Sequence, residues 1–440
     1  MEAAIADGVN VLSLSLGGQE EPYFADEIAI GAFRAIQNGI IVSCAAGNGG
    51  PFHGTLLNTA PWILTVGVST IDRSFRSIVV LGNNSQFDGV SVHQPKVLSR
   101  TLIPLVRSAA RKCARGTLNK TFVVGKVVLY EADEPFETFN LRQGIRDADG
   151  AAMIVVNGDT DLCATSPQVD VIPTTTVSLV VGEAIKEYIN STFAHTAMIA
   201  FEGVSILAAW PSFVDNSKNS TASFKLQCGT SMSTPHLSGI AALIQSLHPD
   251  WSPAAVKSAI MTSADFLNHD GSLILDERML LANLFAIGAG HVNLARVADA
   301  GLVYDIHPDD YLQYLCGLNY TDDQIVFITQ RRITCANIYS IPEAELNYPS
   351  FSIQLGSDTQ TYRRTAMNVD KTYSVYNNLI TSIPRIDIVV YPTALRFTRM
   401  NQKITYQISF KEQTGSKMLL TCRAHRLELK AALCEKSHFD

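Results

Sequence analysis

Residues 40–46, Ile-Ile-Val-Ser-Cys-Ala-Ala, form a short apolar run that stops at Gly47-Asn48-Gly49-Gly50-Pro51. A run of this length and composition predicts a parallel strand buried on both faces, leading into a turn. Upstream, residues 8–18 (Gly-Val-Asn-Val-Leu-Ser-Leu-Ser-Leu-Gly-Gly) are β-rich and lie between an Asp7-Gly8 turn and a glycine pair. Between the two runs, Asp26 is placed to cap a helix that extends to Asn38, with Gly39 as its C-terminal stop. Strand, helix, strand in that order is a βαβ unit with a right-handed crossover. Met1 to Ala6 reads as the end of a helix already inside a domain, not as a signal peptide.

A longer helix follows the glycine at 229 and continues through Ala241, Ala242, Leu243, Ile244 and Leu247. Ser252-Pro253 starts another, with a cap and a proline in the first turn. Between the first βαβ unit and the helix after Gly229 the character changes near residue 104. Val123–Tyr130 reads as a strand, Phe139–Ala148 as a helix, Ala151–Asn157 as a strand, and 182–191 as a helix. From about 345 the period becomes two: Ile386, Ile388 and Val390 alternate, as do Ile404, Tyr406, Ile408 and Phe410. Residues 411–440 are charged and lack alternation; the expectation is no closing strand, and no fold is assigned to them.

Length changes the picture to two or three domains, since 440 residues exceed one ordinary domain. The chain is 47% hydrophobic and 17% charged, which suits large buried cores. A net charge of −7 gives no reason to expect nucleic acid or an anionic membrane as a partner. No apolar run is long enough to span a bilayer. Eight cysteines in a chain this long are not a small disulfide scaffold; Cys316 and Cys335 flank a short polar stretch and are candidates to pair, whereas Cys44 lies in the buried strand. Five Asn-x-Ser/Thr sequons, at Asn83, Asn119, Asn190, Asn219 and Asn319, are weakly consistent with secretion. No acidic cluster has calcium-loop spacing, and no metal or cofactor is expected.

Candidate chemistry centres on Gly229-Thr230-Ser231-Met232-Ser233. A glycine turn delivers Ser231 to the first turn of an apolar helix. There the helix dipole is positive and backbone N–H groups lack intrahelical partners, a good seat for a nucleophile and its oxyanion. A serine in this position is far more often a helix cap, and an Asn such as Asn48 is far more often a turn former.

The longer run Gly-Thr-Ser-Met-Ser-Thr-Pro-His-Leu-Ser-Gly, residues 229–239, resembles the serine block of the subtilisin-like proteases, and it is not the Gly-x-Ser-x-Gly elbow because Ser233 replaces the second glycine. The resemblance implies that Ser231 is the nucleophile, that Asn48 donates its side-chain amide to the oxyanion, and that Ser15, Leu16 and Gly17 line the pocket for the residue before the scissile bond. His236 then belongs to the motif as a structural histidine. Thr55, Asn58, Ala60, Pro61 and Trp62 fit a loop of plant-type subtilases, which leaves His53 as a loop histidine.

Two departures stand out. The family's Asp-Thr/Ser-Gly and Gly-His-Gly-Thr-His motifs precede the Ser-Leu-Gly strand, and neither occurs in these residues, so the triad Asp and His are absent and the chain reads as N-terminally truncated. The segment containing the family's Phe-Ser-Ser-Arg-Gly-Pro stretch also reads as deleted between Phe201 and Ser205.

The resemblance, to the cucumisin-like plant subtilases, implies an α/β fold: an incomplete subtilisin-like doubly wound parallel sheet with an inserted protease-associated (PA) domain and a C-terminal fibronectin-III-like β-sandwich. The expected divisions are 1–82 and 203–305 for the two parts of the core, 104–200 for the PA insertion, 306–344 for a linker, and 345–440 for the sandwich with its divergent tail. The function implied is a serine-type endopeptidase polypeptide acting on proteins or peptides outside the cell, inactive alone for want of the triad Asp and His. Two alternatives stay open. One is a non-catalytic, protease-like protein that binds other proteins through its PA and sandwich domains; the other is a chain that does not fold stably.

Overall fold

The structure is a computed structural model. It describes residues 1–50, 52, 54–69, 76–91, 101–107, 120–131, 137–156, 172–202, 208–209, 224–225, 229–276, 281–355, 358–380, 385–413, 426–429 and 435–436.

The chain begins with the short helix α1 (Glu2–Ala6), then β1 (Val11–Leu14), α2 (Glu27–Gln37), β2 (Ile41–Ala45) and β3 (Leu64–Val66). The three strands form a parallel sheet in the order β1-β2-β3, with Val11 opposite Ile41 and Ser43 opposite Leu64. The local signals at α2 act as expected. The Asp26 carboxylate accepts from the N–H groups of Ile28 and Ala29, and Gly39 takes a positive φ of 75° just past the helix. Every residue of β2 is buried. Its side chains alternate between layers: Val42 and Cys44 pack with Ala32, Phe33 and Ile36 of α2, while Ile41 packs on the opposite face. The helix after the serine block supplies that opposite face, as described below. β1 is less covered. Val11, Leu12 and Leu14 are only half-buried and Leu16 beyond the strand is 60% exposed.

A second body follows, built from β4 (Arg76–Leu81), β5 (Gln86–Val90), β6 (Ile103–Arg107), the helical turn α3 (Lys120–Val123), β7 (Val127–Glu131), α4 (Glu137–Asp147), β8 (Ala152–Val156), β9 (Thr174–Val177), α5 (Leu179–Ser191) and β10 (Thr196–Glu202). Its seven strands close into a barrel in the order β10-β4-β5-β9-β8-β7-β6. Along β7, Val127 and Leu129 face the cluster with Ile185 of α5, and Val128 and Tyr130 face that with Ile145 of α4. Three sequence expectations shift here. The barrel takes in β4 and β5, which lie at or before residue 90, ahead of the expected start at 104, and β4 falls in the span assigned to the core. The strand expected from Val123 starts at Val127, because α3 and the positive φ of Gly125 (65°) occupy the residues before it. The helix expected at 182 starts at Leu179, capped by the Ser178 hydroxyl.

After the two-residue strands β11 (Ala208–Ala209) and β12 (Phe224–Lys225), the chain returns to the first sheet with α6 (Thr230–Leu247) and α7 (Pro253–Thr262). Ala241 and Ile244 of α6 and Ala255, Val256, Ala259 and Ile260 of α7 cover the face of β2 and β3 that carries Ile41, Leu64 and Val66. Helices therefore lie on both faces, the arrangement that explains why the β2 run has no polar alternation. Short helices α8 (Leu284–Ile287) and α9 (Leu294–Val297) and strand β13 (Leu302–Val303) lead out of this unit.

The segment expected to be a linker, 306–344, is part of the first core. Helices α10 (Asp310–Gly317) and α11 (Asp322–Thr329) place Tyr311, Leu312, Leu315, Ile325 and Ile328 in the same cluster as Phe33 and Trp62. Their apolar positions need a partner surface, and α2 supplies it. The Cys316–Cys335 pair forms a disulfide.

The C-terminal body contains β14 (Phe351–Gln354), β15 (Gln360–Asn368), β16 (Ser374–Asn377), β17 (Ile386–Tyr391), β18 (Ala394–Phe397), β19 (Lys403–Glu412), β20 (Arg426–Leu429) and β21 (Glu435–Lys436). One sheet runs β13-β15-β19-β17, so Leu302–Val303, placed in the core from sequence, is an edge strand of this body. β14 pairs with β20, and β16 with β18 and β21. The tail expected to have no closing strand therefore contributes two, Arg426–Leu429 and Glu435–Lys436; runs of four and two residues are too short to show a period in sequence. Among the described residues, no helix is long and apolar enough to cross a membrane.

Candidate functional site

The C-terminal ends of β1, β2 and β3 and the N-terminus of α6 meet at one edge of the parallel sheet, where open α/β folds place their ligands. Gly229 is the N-cap of α6, at φ 115° and ψ 169°, a conformation that side-chain-bearing residues rarely adopt. A Cβ there would also lie 3.0 Å from Nδ2 and 3.2 Å from Oδ1 of Asn48. Glycine thus lets the Asn48 amide approach the start of the helix.

Asn48 is held by Thr230. The Thr230 backbone N–H donates to Asn48 Oδ1 at 3.0 Å, and the Thr230 hydroxyl donates to the same oxygen at 2.9 Å. A backbone N–H can only donate, so the amide oxygen must face Thr230 and the Nδ2 hydrogens point the other way. The Nδ2 group takes no part in the Thr230 contact and is left as the donor side of the amide.

Ser231 is the second residue of α6 and half-buried. Pro235 sits inside the helix four residues on. It has no N–H to give to the Ser231 carbonyl, and its ring crowds that oxygen. The Ser15 hydroxyl takes the vacant place, donating to Ser231 O at 2.7 Å. Ser233 ties the same turn to the third strand: its hydroxyl donates to Gly67 O at 2.7 Å and lies 3.1 Å from Thr230 O. The helix start is therefore fixed to the ends of β1, β2 and β3 through Ser15, Asn48 and Gly67.

Of the residues singled out from sequence, the structure brings together Ser231, Asn48 and Ser15. Leu16 and Gly17 continue the same segment past β1, and Leu57 packs so close to Gly17 that a Cβ there would meet its Cδ1 at 2.8 Å. His236 is exposed on α6 and its Nδ1 donates to Met232 O at 2.7 Å, one turn back along the helix. His53 lies outside the described residues. His291 bonds Ser69 and Asn268, His248 stacks on Trp251, and His195 bonds Thr192 O. Among the described residues, no histidine or carboxylate hydrogen-bonds to Ser231, and no group of His, Cys, Asp and Glu is placed to hold a metal ion. Cys44, in β2 on the α2 side of the sheet, is buried, and burial together with the nearby Asp26 pushes its thiol up to about 12, so it stays protonated.

Sequence reasoning missed four contributors: Thr230, Ser233 and Pro235, which were read only as motif letters, and Asn58, read only as a loop match. Their roles depend on contacts 166 to 216 residues apart in the chain (for Thr230, Ser233 and Ser231), which no local pattern encodes. Pro235 alone left a local signal, a helix interior that lacks one N–H.

A family model described as the subtilase family matches residues 1–290, and one described as a fibronectin type-III domain matches 345–426. The subtilisin-like proteases SBT1.7 and SBT1.2 of Arabidopsis thaliana are 36% and 35% identical to the chain, over 93% and 95% of its length and 60% of theirs. The CO(2)-response secreted protease of the same plant is 34% identical over 92% of the chain and 60% of its own length. The chain thus spans about 60% of the length of the curated relatives it matches. Among solved structures, the psychrophilic subtilisin-like protease Apa1 from the Antarctic psychrotroph Pseudoalteromonas sp. AS-11 has 17% identity and a TM-score of 0.30, covering 67% of this chain and 71% of that one. With two thirds of its residues matched by the family model and plant subtilisin-like proteases as its relatives, the chain belongs to the subtilase family.

Proposed function

We propose that this polypeptide carries the nucleophile half of a serine endopeptidase site. Ser231 Oγ attacks the carbonyl of a protein or peptide substrate, and the Asn48 Nδ2 group, with N–H groups at the start of α6, stabilises the oxyanion. Ser15, Leu16 and Gly17 line the cleft for the residue before the scissile bond. The reading is carried by one observation: Thr230 donates twice to Asn48 Oδ1, so the amide is fixed with its oxygen on Thr230 and its Nδ2 group kept as the donor side before any substrate arrives. Such preorganisation is what gives an oxyanion donor its effect, roughly 3–4 kcal/mol for one donor as measured in a subtilisin.

A serine hydroxyl also needs a base, and the base an orienting carboxylate. The family's motifs for both do not occur in these 440 residues. A polypeptide of this sequence alone is therefore proteolytically silent, and His and Asp supplied on an added N-terminal segment complete the site. The seven-stranded barrel of residues 76–202 is assigned as a protease-associated domain, from its place between the Asn48 and Ser231 blocks. An extracellular location follows the relative named as a secreted protease and agrees with the five sequons.

The test is casein hydrolysis by the 440-residue protein and by a fusion that adds a subtilase N-terminal segment containing Asp-Thr/Ser-Gly and Gly-His-Gly-Thr-His. Activity only in the fusion, lost in S231A, is the expected result. A folded fusion that is inactive would favour a non-catalytic binding role.

A further inference from the structure

We propose that Asn58 is a positioning residue for the substrate cleft: its side-chain amide clamps the two strand ends that carry the cleft wall and the oxyanion donor. The proposal rests on the reading of Ser15–Gly17 and Asn48 given above.

The β1–β2 ladder ends at the pair Leu14 and Cys44. Beyond it the two segments diverge, one toward Ser15-Leu16-Gly17 and the other toward Gly47-Asn48. Asn58 fills the space between them. It is 7% exposed, and its Nδ2 group donates to Leu16 O at 2.9 Å and to Ala45 O at 2.7 Å, so both amide hydrogens are used. Its backbone sits at φ 56°, a left-handed conformation that costs free energy for most residues but is most accessible to Gly, Asn and Asp. The backbone is pinned in turn: the Thr65 hydroxyl donates to Asn58 O at 2.6 Å, and Leu57 N–H donates to Ala46 O at 2.9 Å. The Leu57 side chain packs over both Gly17 and Gly47, at 2.8 Å and 3.0 Å from where their Cβ atoms would be.

The direction of these bonds has a consequence for the cleft. Ile41 N–H donates to Asn10 O, so even-numbered residues of the β1 segment turn their peptide groups toward β2. Leu16 O, turned inward to Asn58, continues that parity past the end of the ladder. Alternation then turns the peptide groups of Ser15 and Gly17 away from β2, onto the free edge where an extended peptide can pair with them. Asn58 holds this phase where ladder bonds no longer do. Without it, Ser15–Gly17 and Asn48 remain in the fold but lose their mutual alignment.

The test uses N58G, which keeps the left-handed backbone and removes only the amide, and N58D, which keeps the shape but presents a carboxylate to two carbonyl oxygens. Three quantities are measured on the full chain: hydrogen exchange of residues 12–18 and 43–49 by mass spectrometry, binding of a fluorescein-labelled hexa-alanine peptide by anisotropy, and the Tm of the barrel and C-terminal bodies. Both variants are expected to exchange at least about tenfold faster in those two segments and to bind the peptide at least about tenfold more weakly, as the loss of the two buried amide hydrogen bonds dictates, with N58D the worse. Exchange unchanged at both strand ends overturns the clamp, as does faster exchange with undiminished affinity. A wild-type chain that binds no peptide overturns the cleft reading itself, a result separable from the first because it needs no variant.

Discussion

The Ser15 hydroxyl donates to the backbone carbonyl of Ser231 at 2.7 Å, and it does so at the one carbonyl of the first turn of α6 that Pro235 cannot serve. A proline in a helix interior ordinarily destabilises by about 3 kcal/mol, through a lost bond and a ring clash. Here the lost bond is replaced by one from a different strand. The helix that presents the proposed nucleophile is thereby tied to the segment proposed to bind substrate.

This relationship predicts coupling between the two positions. S15A is expected to destabilise the protein by about 1 kcal/mol, the net worth of one hydrogen bond. In the P235A background the alanine supplies a backbone N–H that can serve Ser231 O, so the same S15A change is expected to cost close to nothing. A double-mutant cycle by urea unfolding reads the difference. Equal effects of S15A in both backgrounds would show that Pro235 does not create the vacancy.

Asn48 and Thr230 make a second prediction. An aspartate at position 48 can accept both Thr230 bonds but donates nothing. N48D is therefore expected to fold with stability close to that of the wild type. In the fusion that restores His and Asp, kcat is expected to fall by about 10²–10³, with little change in KM. A fall in KM-dependent binding with kcat intact would instead place Asn48 in ground-state recognition.

Lys257 predicts a pH dependence of stability. It is 4% exposed on α7, donates to Pro61 O, and lies 4.5 Å from the centre of the Tyr348 ring. The Tyr311 hydroxyl shares Pro61 O at 3.5 Å. Burial pushes the ammonium down from 10.5 to about 7. Between pH 7 and 10.5 the unfolded chain holds a proton on this group that the folded chain has released. Stability attributable to Lys257 therefore rises with pH across that window and is flat below it. The urea midpoint of the wild type should climb relative to K257M between about pH 7 and 10; parallel curves would mean that the amine stays charged when buried. Because Pro61 lies three residues from Asn58 and Tyr348 lies at the entry to the sandwich, this site also links the cleft loop to the C-terminal body.

Arg364 predicts where that C-terminal body is most sensitive. Only 2% exposed, its guanidinium donates to the carbonyl oxygens of Ala344, Tyr348, Ser350 and Arg363, and it stacks over Phe351 at 3.8 Å. Lysine has neither the fork nor the plane to replace these bonds. R364K is expected to destabilise the protein by about 2–4 kcal/mol, seen as a lower Tm of the sandwich with the barrel unaffected. A change within about 0.5 kcal/mol, the range of an ordinary surface substitution, would contradict this role.

What could be read in the sequence was local. The Asp26 cap, the Gly39 stop and the apolar run of β2 each carry their own signal, and the structure realises each of them. The Cys316–Cys335 pair also proved right. What could not be read was pairing at a distance. β4 and β5 belong to the barrel because β4 pairs with β10, more than a hundred residues later. β20 closes on β14 from beyond the last clear alternation. Helices α10 and α11, expected to be a linker, bury their apolar positions in the cluster built on α2, a partner far earlier in the chain that no local pattern names. At the candidate site, the family motif pointed to Ser231 and Asn48, but the contacts Ser15–Ser231, Thr230–Asn48 and Ser233–Gly67 join residues 166 or more positions apart.

The central claim is that Ser231 and Asn48 form a peptidase half-site that becomes active once a base and its carboxylate are supplied. The most direct measurement is the rate of casein cleavage by three purified proteins: the 440-residue chain, its fusion to a subtilase segment bearing the Asp and His motifs, and the S231A form of that fusion. The account predicts no cleavage by the first, measurable cleavage by the second and none by the third. It also predicts that the fusion gains further activity when a Phe-Ser-Ser-Arg-Gly-Pro segment is inserted between Phe201 and Ser205, since misplacement by about 1 Å near a reacting group can cost about a hundredfold. Cleavage by the 440-residue chain alone that disappears in its own S231A variant would contradict the account.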